Sequence, residues 1–152
     1  LTPEIDKGRI AELMLEPGRW LVARAGALIT EIQYTKTTQH KSFVITDGGM
    51  NLLIRPALYE AEHRIAPLIA RANTDSKTPT KVDVVGPICE SADFLGRDRE
   101  FHHLEPGDRL AVFDTGAYGR TMASNYNQKG WPAEIVFQNG HLTRVDSALG
   151  SI

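Results

Sequence analysis

The sequence predicts a mainly β fold, a barrel or sandwich with one short helical insertion. Three observations lead there. Short runs of β-branched and aromatic residues recur along the 152-residue chain, and such side chains suit the pleated, half-buried surface of a strand. Strong turn signals separate the runs, at Pro17-Gly18, Asp47-Gly48-Gly49, Gly86-Pro87, Pro106-Gly107 and Asn139-Gly140, where the chain can reverse at low steric cost. One stretch alone, Asn51–Ala70, has the length of a helix, and Pro56 and Pro67 interrupt it.

Taken in order, Asp6–Leu15 places apolar residues at Ile10, Ala11, Leu13, Met14 and Leu15, a short helix passing into strand before the Pro17-Gly18 break. Trp20–Tyr34 reads as one long strand with a wet face, because Ile32 and Tyr34 alternate with Glu31 and Gln33. Ser42–Thr46 is a compact strand that stops at Asp47-Gly48-Gly49. Asn73–Thr80, rich in Thr, Ser, Asp and Lys, is an exposed loop ahead of the strand Val82–Val85. The turn Glu105–Asp108 leads into Arg109–Asp114, with Leu110, Val112 and Asp114 on one face and Ala111 and Phe113 on the other. Ala133–Phe137 and His141–Val145 flank Asn139-Gly140, the strongest hairpin signal in the chain.

Composition narrows the functional classes. The length suits one domain with a real core. Lys and Arg number 17 against 19 Asp and Glu, so the basic surplus typical of nucleic-acid binding is missing and nucleic acid is not an expected partner. One cysteine cannot close an intramolecular disulfide. No stretch approaches the roughly 18 apolar residues of a membrane helix, and the N-terminal residues lack the basic and apolar regions of a signal peptide. A cytoplasmic setting without membrane partners is expected. The sequence opens on Leu1 rather than Met, which suggests a start partway through a larger protein.

Three turns carry reactive side chains. Glu16-Pro17-Gly18-Arg19 holds a carboxylate and a guanidinium, Gly86–Ser91 presents Cys89 and Glu90, and Thr115–Gly119 carries Tyr118. By residue type alone, a lone cysteine is more often a small packed residue than a reacting group, and a Pro-Gly turn with a surface ion pair accounts for Glu16 and Arg19. Arg55 and Tyr59 are four apart and share a face if helical; on residue type alone an amphipathic surface helix with Leu58 inward and Arg55 solvated is preferred. Three such turns in one chain nevertheless suggest a single site assembled from loops.

Together these strings are similar in order and spacing to a known family. Glu16-Pro17-Gly18-Arg19, Asp47-Gly48-Gly49-Met50-Asn51, Arg55-Pro56-Ala57-Leu58-Tyr59, Gly86–Ser91 with Asp93, and Gly116–Gly119 followed by Ser124-Asn125-Tyr126-Asn127 resemble the diaminopimelate decarboxylases. These belong to the fold-type III pyridoxal-phosphate decarboxylases, and the resemblance runs from about Leu13 to Val145. It implies a C-terminal β-barrel domain over 24–152, with 1–23 as a remnant of an N-terminal (β/α)8 barrel: its last strand, ending at the Glu-Pro-Gly-Arg turn. The resemblance also implies that the Schiff-base lysine belongs to the missing barrel, and Lys7, Lys36, Lys41, Lys77, Lys81 and Lys129 all fall outside the matching motifs.

The resemblance also assigns roles within the conversion of meso-diaminopimelate to L-lysine and carbon dioxide through a quinonoid intermediate. Glu16 pairs with the cofactor's pyridine nitrogen, Gly18 and Arg19 approach its phosphate, and Arg19 also meets substrate. Arg55 and Tyr59 read the distal carboxylate, for which a planar guanidinium is suited. Cys89 is the proton donor and Glu90 the ligand of the distal ammonium, both serving the second subunit of a homodimer. Tyr118 contacts cofactor or substrate; by residue type it reads equally as a buried tyrosine with a satisfied hydroxyl. The isolated chain is expected to be inactive. Alternatives left open are a decarboxylase of lysine or ornithine, and a non-catalytic β-barrel association module. His102 and His103 lack the companions of a metal site and read as surface residues, and His40 and Lys41 read as a solvated turn. Trp20 and Trp131 read as packing or interface residues, and Asp108 and Asp114 show no acid–base pairing.

Overall fold

The computed structural model describes residues 7–8, 12–69 and 78–146. Residues 12–17 carry no regular structure, and the chain then forms helix α1, Gly18–Val22, and a 3-10 turn, Ala23–Ala25. The long strand expected from Trp20 therefore starts only at Ala27: β1 spans Ala27–Thr37. Gly18–Ala25 is apolar without a clear period, and its Leu, Arg and Ala favour helix. Among the described residues no strand precedes the Glu-Pro-Gly-Arg turn, since a parallel strand exists through ladders on its neighbours and those residues offer the segment none.

Strand β1 is the spine of the sheet. Its first half, Ala27–Glu31, pairs antiparallel with β6, Arg109–Phe113, and its second half pairs antiparallel with β2, Ser42–Thr46, after a register shift between Ile32 and Tyr34. Such an irregularity bends a strand and increases its twist. Adding β3, Ile65–Pro67, β4, Thr80–Val85, and β5, Phe94–Phe101, gives the order β3-β6-β1-β2-β4-β5, curled into a nearly closed barrel-like sheet. Strand β5 was hidden because Arg97, Asp98, Arg99 and Glu100 break its apolar pattern. A separate hairpin pairs β7, Glu134–Gln138, with β8, His141–Asp146. Asn139 and Gly140 both take positive φ there, as the expected tight turn requires.

The core is Ile32, Val44, Leu53, Val84, Leu95, Leu110 and Val112, all but sealed from solvent. Leu110, Ala111 and Val112 are buried in succession, so β6 is covered on both of its alternating faces, and Asp114, expected on the Leu110 face, lies beyond the strand at φ 60°. The expected helix Asn51–Ala70 shrinks to α2, Arg55–Tyr59. Pro56 is tolerated because it sits in the first turn, where its missing N–H is not needed. The helix ends on Glu60 in the left-handed region, and the chain extends into β3, where Pro67 lies on an edge strand. Of the expected helix passing into strand over Asp6–Leu15, residues 6 and 9–11 fall outside the described residues and 12–15 carry no regular structure; the end of the helix candidate at Ala70 and most of the Asn73–Thr80 loop also fall outside them.

Topology explains why distant turns converge. Strands β2 and β4 run parallel, while β1 is antiparallel to both β2 and β6. The ends of β2, β4 and β6 therefore lie at the same end of the sheet as the start of β1. The segments that leave or enter there are Asp47–Arg55, Gly86–Asp93, Asp114–Gly119 and Gly18–Gly26.

Candidate functional site

At that end of the sheet α2 places Arg55 and Tyr59 on one face. The Arg55 guanidinium carbon lies 5.4 Å from the centroid of the Tyr59 ring and 5.7 Å from that of Tyr118. Arg55 is only 8% exposed and Leu58 is 55% exposed, the reverse of the amphipathic surface helix that residue type favoured. No carboxylate among the described residues lies within ion-pair distance of Arg55. A guanidinium partly withdrawn from water without a counter-charge is penalised, and two aromatic faces return about 0.5–2 kcal/mol each. The cluster is a positive charge that an anion would complete.

Tyr118 reaches this cluster from a strained turn. It adopts φ 62°, which disfavours a residue with a Cβ by about 1–2 kcal/mol. The turn is held from behind: Gly116 N donates to Ala23 O at 2.9 Å and Thr115 N to Gly26 O at 3.0 Å. A Cβ on Gly116 would stand 2.1 Å from Val22 O, so only glycine allows the approach. Buried His63 steadies the base of the turn, its Nδ1–H donating to Phe113 O at 2.8 Å. Tyr118 itself is 47% exposed, not the buried tyrosine that residue type allowed. The same contacts bring the end of α1 against the Tyr118 turn. Glu16, Gly18 and Arg19 are all exposed, and a Cβ on Gly18 would meet nothing within 4 Å.

The Gly86–Asp93 turn forms the second group. Cys89 is an exposed free thiol, not the packed residue expected of a lone cysteine. Glu90 is also exposed, and its Oε1 accepts a 2.6 Å hydrogen bond from the Tyr126 hydroxyl. That bond, and the charge of Glu90, hold the Tyr126 hydroxyl above its ordinary value of 10.0. Asp93 is buried and accepts from Met50 N at 2.7 Å and Ile88 N at 2.5 Å. The structure thus joins Arg55, Tyr59 and Tyr118 in one cluster, and Cys89 and Glu90 on another turn with Tyr126. Asp93 and Tyr126 received no role from the sequence, although both lie in the matched strings. For Asp93, the available signal was a short acid amid two glycine turns.

Other candidates stay outside. His103 pairs with Glu105 at 2.7 Å, and among the described residues no group of His, Cys, Asp and Glu is placed to hold a metal. Lys41 is tied to Asp83 at 2.8 Å and reaches Asp98 at 3.5 Å, a structural link, not the plain solvated turn expected. Trp20 is 79% exposed, and Trp131 lies under the Arg120 guanidinium, 4.5 Å from it. No helix among the described residues is long and apolar enough to cross a membrane.

Residues 17–116 match the C-terminal sheet domain of the pyridoxal-dependent decarboxylases. The diaminopimelate decarboxylase of Vibrio cholerae is 45% identical over 154 aligned residues, which take in all of this chain and 36% of that protein. The diaminopimelate decarboxylase of Pseudomonas fluorescens is 50% identical over 129 residues, 85% of this chain and 30% of that protein. Among solved structures, Helicobacter pylori diaminopimelate decarboxylase complexed with L-lysine superposes with a TM-score of 0.78 at 38% identity, covering 95% of this chain and 35% of that one. Lysine decarboxylase from Selenomonas ruminantium gives 0.61 at 26% identity over 74% of this chain and 29% of that one. The chain spans about a third of the length of the curated relatives it matches.

Proposed function

The chain belongs to the pyridoxal-dependent decarboxylases as a C-terminal sheet domain, and on that premise we propose that it is the portion of a diaminopimelate decarboxylase that binds substrate and donates a proton. The complete enzyme converts meso-diaminopimelate to L-lysine and carbon dioxide. Arg55 carries this reading: a largely buried arginine whose guanidinium faces two phenol rings, with no carboxylate partner among the described residues, is what a distal carboxylate needs. Substrates without that carboxylate would leave it unpaired, and a buried unpaired charge is heavily penalised.

The donor set suits pyridoxal phosphate. Glu16 offers a carboxylate for the pyridine nitrogen, Gly18 open backbone for a phosphate, Arg19 a planar fork and Tyr118 a phenol. When bound, the cofactor supplies an electron sink for the pair released as carbon dioxide leaves. Its Schiff-base lysine lies in the N-terminal α/β barrel, of which 1–23 is the remnant and 24–152 the companion β-barrel domain. Arg55 and Tyr59 orient the distal carboxylate. Glu90, held by Tyr126, takes the distal ammonium, and the exposed Cys89 thiol returns a proton to the carbon that lost its carboxylate. Cys89 and Glu90 serve the partner's site in a homodimer.

The test is carbon dioxide release by the complete polypeptide that carries this chain. Turnover of meso-diaminopimelate well above that of lysine or ornithine is expected. A preference for either of those substrates, or no decarboxylation of any, would overturn the reading.

A further inference from the structure

We propose that Asp93 is a positioning residue that locks the Cys89–Glu90 turn to the loop leading into Arg55, so that the two half-sites on one chain are held in fixed relation. This rests on the reading above for the roles of Arg55, Cys89 and Glu90; the clamp itself rests on distances alone.

The carboxylate is 5% exposed and faces two backbone donors from different loops, Met50 N at 2.7 Å and Ile88 N at 2.5 Å. Ile88 immediately precedes Cys89, and Met50 lies five residues before Arg55. The loops touch through backbone, since a Cβ on Gly86 would stand 2.4 Å from Gly49 Cα and one on Gly49 would stand 2.1 Å from Asp93 Oδ1. Asp93 also closes its own turn, through Gly86 N to Asp93 O at 3.2 Å and Asp93 N to Glu90 O at 3.0 Å. A third strut completes a ring: Ser124 N donates to Asn51 O at 2.8 Å, and two residues on Tyr126 holds Glu90. Two N–H donors call for a group that accepts with both atoms. A carboxylate does so, whereas an amide would turn its NH2 against one donor, and a buried donor left unpaired is costly.

The experiment is Asp93→Asn in the complete enzyme, alone and combined with Cys89→Ala. A misplacement of about 1 Å costs about 100-fold in rate, so Asp93→Asn should lower kcat about 10- to 100-fold with cofactor content unchanged. In kcat it should cost little more when Cys89 is already absent, because that loss acts through the Cys89 turn, whereas displacement of the Arg55 loop raises KM in either background. Amide exchange at Met50 and Ile88 should speed at least tenfold, while Val44 and Val84 in the core keep their protection. Multiplying losses in the double variant, or unchanged exchange at the two amides, would overturn the proposal. If Asp93→Asn does not fold, exchange in the unaltered protein decides: protection at Met50 and Ile88 supports the clamp, and exchange as fast as an exposed loop refutes it. Absence of diaminopimelate turnover would sink the functional reading, while the exchange rates would still judge the clamp.

Discussion

Replacing Arg55 by methionine should abolish recognition of the distal carboxylate without weakening the fold. Arg55 is nine-tenths buried as a residue, with no carboxylate partner among the described residues. Its removal relieves the partial desolvation of an uncompensated charge and forfeits two ring contacts of about 0.5–2 kcal/mol each. Stability should therefore be unchanged or higher by up to about 2 kcal/mol. Binding moves the other way: truncating one partner of a buried charge pair costs about 2–5 kcal/mol, roughly 30-fold to a few thousand-fold in kcat/KM at about 1.4 kcal/mol per tenfold. Arg55→Lys keeps the charge and loses the fork, so about 1.5–3 kcal/mol, or about 10- to 100-fold in KM, is expected. The assay is initial-rate carbon dioxide release in the complete enzyme, beside a thermal melt. L-lysine retains the distal carboxylate and should inhibit more weakly, whereas cadaverine has none and should inhibit as before. A melt lowered as by a core truncation, with KM for diaminopimelate unaltered, would refute the reasoning and make Arg55 a packing residue.

Three further outcomes are expected. Cys89→Ala should lower kcat by at least about 100-fold, the scale of a lost general acid, and leave KM nearly unchanged; normal turnover would remove Cys89 from the chemistry. The Tyr126–Glu90 bond needs the neutral phenol, whose folded value is raised above 10.0, so its contribution is complete below pH 10 and fades as pH rises through the raised value. Phenolate absorbance during an alkaline titration should show that Tyr126→Phe removes a late-titrating tyrosine, and loss of one titrating at or below 10 would contradict the bond. Gly116→Ala would drive a Cβ to 2.1 Å from Val22 O and should cost about 1–3 kcal/mol, as overpacking does, while raising KM through Tyr118; a neutral melt would mean the turn does not need that close approach.

Much of the fold was legible where local chemistry and tertiary structure agree. Ser42–Thr46 is the strand its β-branched run indicates, and Asn139-Gly140 closes the hairpin its φ preferences demand. The misreadings occur where local signals are silent. Trp20–Ala25 is apolar apart from Arg24 and shows no clear period, and helix or strand is then decided by neighbours rather than by the residues themselves. Arg97–Glu100 looks like a charged loop, yet β4 supplies the ladder that makes it a strand. In the site, the four-residue spacing of Arg55 and Tyr59 was readable, but the inversion that buries Arg55 and exposes Leu58 was not. Nor could sequence show that Asp93 and Tyr126 matter, because their partners lie 43 and 36 residues away.

The central claim is that one chain carries two half-sites, Arg55 with its tyrosines for its own site and Cys89 with Glu90 for the partner's. Mixed dimers test this most directly. When Arg55→Met and Cys89→Ala subunits of the complete enzyme are allowed to exchange, a heterodimer carries one intact site and one doubly damaged site. Carbon dioxide release from meso-diaminopimelate, nearly absent from either homodimer, should return on mixing. A mixture that stays as inactive as its parents, with subunit exchange verified, would contradict the shared site.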